Sequence, residues 1–216
     1  MKMTNNIITL FGMGFNVWII GMSWLVIGII ALFVWLGVRK LSWIPRGWQN
    51  ILEMLVEFIE NAVKENMGVK GLKYTYFFGS LFLFILISNM LGLVPGLQSP
   101  TRNVSVTAAL AILVVIWMQY IGIRENGLLN HLKHFVSPNP AFLPIHIMDL
   151  FTRPLTLALR LFGNIFAGEI LIEKLTETFH LIVPAAWLLM SVMIGGIQAY
   201  IFTVLSLAYT GLSLEE

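Results

Sequence analysis

The chain has 216 residues and no cysteine; 58% of it is hydrophobic and only 11% is charged. Soluble domains carry about a quarter charged residues, so water is excluded as the main solvent. A formal net charge of +2 is too small to point to nucleic acid, and the lack of cysteine excludes disulfides and thiolate metal sites. Several apolar runs reach or exceed the ~20 residues that a helix needs to cross a ~30 Å hydrocarbon layer, and they are too long for barrel strands. The expected fold is all-α: one polytopic membrane domain over 1–216, with about five membrane-embedded helices and one amphipathic surface helix.

In chain order, 17–38 is the first span. It starts late, is long for the apolar part of a signal peptide, and runs into Arg39 and Lys40 without a small-residue cleavage site, so it is expected to stay. Over 47–66 the pattern changes: Trp48, Ile51, Leu52, Leu55, Ile59, Ala62 and Val63 recur at helical spacing, with Gln49, Asn50, Glu53, Glu57, Glu60 and Lys64 on the other faces. Such a helix lies on the membrane or a partner, or covers the protein's own spans. Residues 74–94 form a second span closed by Pro95 and Gly96, and 104–123 a third after the polar turn Gln98 to Asn103. The loop from Arg124 to Pro144 holds His131 and His134 with no evident third ligand, so it is read as a polar loop, with no metal and no cofactor expected.

Two further segments follow, 145–179 and 182–214. At ~1.5 Å per residue the first makes a helix on the order of 50 Å, well beyond the hydrocarbon thickness. Pro154, Gly163 and Gly168 are possible bends, but a pair of long, steeply tilted helices is the preferred reading. Arg39, Lys40, Arg46, Lys64, Lys70, Lys73, Arg124 and Lys133 flank the loops after the first and third spans, which puts those loops in the cytoplasm. The N-terminus is then outside and the C-terminus inside.

Ionisable groups within a span cost several kcal/mol and mark function. The segment 145–179 holds Asp149, Arg153, Arg160, Asn164, Glu169 and Glu173. At about 100° per residue, Asp149, Arg153, Arg160 and Asn164 share one stripe while Glu169 lies on the other side, a layout suited to two separate aqueous routes. Arg160 carries a permanent positive charge in a low-dielectric region and needs a carboxylate. That acid is either internal, Asp149 or Glu169, or belongs to another chain. In the last segment Ser191 and Gln198 share a face, as a pore-lining pair does; a Gln in a span also serves as a helix–helix hydrogen bond.

The string Leu159-Arg160-Leu161-Phe162-Gly163-Asn164, continuing to Ala167-Gly168-Glu169, resembles the signature of the F-type ATP synthase subunit a family. Gln198-Ala199-Tyr200-Ile201-Phe202 resembles the family's final-helix motif, and weaker echoes run from Asn89 to Pro95 and through Pro100, Thr101 and Thr107. The resemblance implies a stator subunit in the lipid bilayer beside a ring of c subunits and the peripheral-stalk subunit b, in a bacterial cell membrane. Two offset half-channels would carry H+ or Na+ to and from the ring carboxylate, with no catalysis by this chain, because ATP chemistry belongs to the F1 sector. By the same resemblance Arg160 faces the ring carboxylate and favours its ionised state. Asn164, Glu169 and Gln198 line the outer half-channel, and Asp149 and His146 match polar positions near the inner one. Two departures stand out: Ser191 occupies the position where many relatives carry a His or an acid to pair with Glu169, and Asn103, beside Arg102, replaces a common acid. Both thin the proton-relay chemistry and keep sodium open as the coupling ion.

The main alternative is a stand-alone secondary ion transporter or channel, although such folds usually show internal repeats and none is found. An intramembrane hydrolase fits less well, since the sequence has no nucleophile elbow and no HExxH pair.

Overall fold

The computed structural model describes residues 7–10, 13–39, 41–94, 97, 99–127, 143–178 and 182–213. Six helices make up nearly all of it: α1 (Val17–Val38), α2 (Trp48–Met67), α3 (Thr75–Leu91), α4 (Val104–Asn126), α5 (Leu143–Thr178) and α6 (Ile182–Leu212). Five helical segments, all but α2, are long and apolar enough to cross a membrane. The protein is thus an all-α, multi-pass membrane fold in its spanning part, as its hydropathy dictates. A feature that the sequence reading did not anticipate precedes α1: a short antiparallel pair, β1 (Ile7–Leu10) and β2 (Met13–Asn16), with Ile7 opposite Asn16 and Leu10 opposite Met13.

A single core joins α2 through α6. Ile59 and Val63 of α2, Phe78 and Ile85 of α3, Val114 and Ile121 of α4, Leu157 and Leu161 of α5, and Phe202 and Leu207 of α6 are all buried in it. Lipid supplies no hydrophobic drive between helices, so close packing and satisfied polar groups must hold them. α6 meets the second need internally. Its buried Thr203, Ser206 and Thr210 each donate to the carbonyl four residues back, at 2.9, 2.7 and 2.7 Å.

The helix α2 resolves the choice left open by its amphipathic pattern. Its second half covers the protein's own spans: Ile59, Ala62 and Val63 are buried, and the Phe58 ring lies 6.0 Å from Phe82 of α3 and 5.5 Å from Tyr200 of α6. Its first half meets α1, where Leu52 packs against Gly37 and the Trp48 ring lies edge-on to Phe33 at 6.2 Å, but Trp48, Ile51 and Met54 remain exposed. The close seam with α6 depends on Gly211, where a Cβ would overlap the Asn66 carbonyl oxygen at the end of α2. A backbone oxygen cannot rotate away, so Gly211→Ala is expected to cost about 1–3 kcal/mol of stability, read as a lower unfolding midpoint of the detergent-solubilised complex. Gly28→Ala on α1, where nothing lies within 4 Å of the added atom, is the control and should not lower it.

The long helix α5 continues through Pro154 for 36 residues, about 54 Å at the α-helical rise. It packs between α4 and α6. The α3–α4 turn lies at the end of the bundle where Arg102 meets Glu169 of α5 and the Trp187 indole of α6 donates to the Gly168 carbonyl at 3.3 Å. At the other end Lys73 bridges Glu125, and the Tyr74 hydroxyl donates to the same carboxylate at 2.9 Å. The loop carrying His131 and His134 lies outside the described residues.

Candidate functional site

Between α3, α5 and α6, at the end of the bundle that holds the α3–α4 turn, lies a cavity of about 570 Å³. Asn164 and Glu169 of α5 and Ser191 of α6 line it, together with Asn89, Arg102 and Glu173. Three residues singled out in the sequence therefore meet in one space. The stripe is nevertheless not what helical periodicity suggested. Asn164 faces the same cavity as Glu169 rather than the opposite side, because the cavity wraps round α5 from Asn164 to Thr176.

Glu169 is held from outside its own helix. Arg102 Nη1 lies 2.8 Å from Glu169 Oε2, with the acid's side chain 15% exposed, while Glu169 Oε1 is buried with no hydrogen-bond partner among the described residues. Arg102 is set by a tight turn. The Ser99 hydroxyl accepts from Thr101 N at 3.2 Å, Arg102 N donates to the Ser99 carbonyl at 3.1 Å, and the Asn103 side chain caps α4 by accepting from Ser105 N at 2.9 Å. That turn is anchored to α3 and α6. Thr101 donates to Asn89 Oδ1 at 3.0 Å, Asn89 Nδ2 donates to the Gly195 carbonyl at 3.0 Å, and the Ser99 hydroxyl donates to the Ser88 carbonyl at 2.8 Å. Glycine at 92 is part of the fit, since a Cβ there would sit 2.8 Å from Ser99 Cβ and 3.2 Å from Glu169 Oε1.

Asp149, the second acid that the sequence offers Arg160, is also engaged. Asp149 pairs loosely with Arg153 at 3.6 Å, and the Arg153 guanidinium also lies over the Tyr209 ring, 5.2 Å from its centroid. Arg160 stands apart from both. It is exposed, on the sector of α5 that also exposes Leu159, Phe166, Ile170 and Leu171, and among the described residues it forms no ion pair. Gln198 lies deeper in α6, 7% exposed, and its Nε2 finds no acceptor among the described residues. It does not line the cavity that Ser191 lines. His146 belongs to the start of α5, and its side chain lies outside the described residues.

Arg102 and Asn89 were not among the residues singled out for a site. Their sequence signals were faint: an arginine beside the turn at Asn103, and an asparagine at the end of an apolar run. A buried asparagine in a span was the stronger clue, because lipid offers it no partner.

Apolar helices long enough to span a membrane, enclosing a charged cavity, with a second arginine exposed on an open helix face, define the class as a multi-pass membrane protein. The family model described as ATP synthase A chain matches residues 20–211. The chain is 37% identical over 187 residues to ATP synthase subunit a of Moorella thermoacetica, covering 87% of this chain and 86% of that one. It is 40% identical over 192 residues to ATP synthase subunit a of a Sulfurihydrogenibium species, with 87% and 92% covered. To ATP synthase subunit a 2 of a Picosynechococcus species it is 41% identical over 189 residues, with 87% and 81% covered. The chain belongs to the ATP synthase A chain family, a membrane subunit of the Fo sector.

Proposed function

We propose that the chain provides two offset half-channels that carry H+ or Na+ to and from a carboxylate on a neighbouring ring of c subunits, so that the ion gradient turns the ring. One observation carries this reading: both acids available to Arg160 on its own helix are engaged by other cations, Glu169 by Arg102 and Asp149 by Arg153. The internal ion pair that the sequence left open is thus taken up elsewhere. A guanidinium on an exposed, apolar helix face costs ~2.5–3.5 kcal/mol on insertion scales, so its counter-charge is expected from another chain. The cavity holding Asn164, Glu169 and Ser191 is then the half-channel on the side of the α3–α4 turn, and Asp149 and His146 stand near the other. Gln198, buried with an amide donor that has no acceptor among the described residues, is expected to receive one on assembly. The subunit sits in a bacterial cell membrane with its N-terminus outside and its C-terminus in the cytoplasm, against the ring and subunit b.

Because the chain has no cysteine, a Ser191→Cys variant labels this subunit at one point. In vesicles holding the assembled complex it should react with a membrane-impermeant thiol reagent from the side of the α3–α4 turn. A bulky reagent should then remove most ATP-driven ion uptake. A thiol that is inert from both sides would rule out the half-channel. Uptake that requires sodium and resists a protonophore names Na+; uptake that a protonophore collapses names H+.

A further inference from the structure

Arg102 borders a second space. A pocket of about 230 Å³ lies between the first turns of α1, at Trp18, Ile19 and Met22, and the turn Ser99 to Asn103. Arg102 lines this pocket and also the cavity of Glu169, and so do none of the other charged residues among those described. Its backbone cannot yield easily, because the turn is capped at Ser99 and tied to Ser88 and Asn89. Its side chain can, since it is 39% exposed and held to Glu169 by one contact at 2.8 Å. The other carboxylate oxygen, Glu169 Oε1, is buried without a hydrogen-bond donor among the described residues.

We infer that Arg102 is a cationic gate between the two spaces, and that a translocated cation reaches Glu169 by exchanging places with its guanidinium. This rests on the half-channel reading and adds to it the residue that sets which charge enters. With the pair closed, the fixed positive charge stands where a cation must pass, and the carboxylate that would attract the cation is already neutralised on one oxygen. A cation approaching from the small pocket competes for Glu169, the guanidinium swings toward the space that the cation has left, and the total charge at the carboxylate is unchanged. Anions are met by the carboxylate behind the gate. Swinging costs little because both positions of the guanidinium are open to solvent-sized space, whereas removing either charge leaves the other in the wall without compensation.

The test uses Ser191→Cys, inside the cavity, in the assembled complex in vesicles, and compares labelling rates by a trimethylammonium-bearing and a sulfonate-bearing methanethiosulfonate. Arg102→Gln should raise the cation-to-anion rate ratio by about tenfold, the scale on which a lined cleft concentrates one sign of charge. Arg102→Lys, which keeps the charge, should leave the ratio near that of the parent. Glu169→Gln frees the guanidinium from its tether and should lower the ratio by about tenfold. A ratio that does not move in Arg102→Gln, or both rates rising together, overturns the gate. If Arg102→Gln does not assemble, the ratio in Glu169→Gln decides alone, and an unchanged value there overturns it equally. A parent Ser191→Cys that neither reagent reaches takes down the half-channel reading and the gate with it; a parent that reacts but ignores both charge changes takes down only the gate.

Discussion

Replacing Arg160 with alanine is expected to abolish ATP-driven ion uptake while the soluble head still hydrolyses ATP. The reason lies in what surrounds the residue. Arg160 sits on an exposed sector of α5 among apolar side chains, and Asp149 and Glu169 of its own helix are paired with other cations. A fixed cation within ~4–6 Å of a carboxylate shifts its ionisation by one to three pH units. Without it, a ring carboxylate passing this face would keep its ion, and the released fraction would fall by about a hundredfold. A second effect adds to the first. On the half-channel reading the same positive charge would bar direct passage of cations between the two routes, so Arg160→Ala vesicles should also leak passively. Arg160→Lys should fall between, since an ammonium is a point charge without the planar fork. Coupled uptake that survives unchanged in Arg160→Ala would return a stand-alone transporter to first place.

Asn89→Leu is expected to prevent normal assembly. Asn89 is 2% exposed and holds three elements at once: α3, which carries it, the turn through Thr101, and α6 through the Gly195 carbonyl. Leucine has nearly the same volume and neither hydrogen bond. Both bonds that tie α3 to the turn and to α6 would then be lost, at about 0.5–1.5 kcal/mol each, the Thr101 hydroxyl keeping only its contact with the Ser99 hydroxyl and the Gly195 carbonyl only its place in the helix. Surrounding lipid cannot supply a substitute. The α6 backbone approaches closely here, since a Cβ on Gly195 would lie 3.3 Å from Asn89 Cβ, so there is little slack to absorb the change. The amount of subunit recovered in the complex and its unfolding midpoint are the measurements. Recovery and midpoint equal to those of the parent would show that the turn is held by something other than Asn89.

The membrane fold was legible because hydropathy is a local property. The apolar run beginning at Val17 or at Val104 announces a span without reference to the rest of the chain. The amphipathic spacing from Trp48 to Val63 likewise announced a one-sided helix, but which side found a partner was not local: Ile59 and Val63 are buried and Ile51 and Met54 are not. The charged residues of α5 stood out for the same local reason, as polar groups in an apolar run. Their partners did not. Glu169 is paired by Arg102, a residue of a distant turn, and helical periodicity gives only directions round one axis, not which neighbour a cavity admits. For the same reason Asn164 and Glu169, placed on opposite sides by angle, line a common space.

The α3–α4 hairpin is fastened at both ends. Lys73 and Tyr74 grip Glu125 at one, and Asn89, Ser88 and Thr101 lock the turn at the other, with Phe77 stacked on Trp117 between them at 4.4 Å. α5 leans on α4, so a ring turning against α5, as proposed above, would push it sideways onto that hairpin. A pair of helices pinned only at its turn would splay under that load like an open clothes-peg; pinned twice, it acts as a strut and returns the force to the bundle. Loosening the Glu125 end should therefore leave the resting protein intact and show itself only when torque is applied.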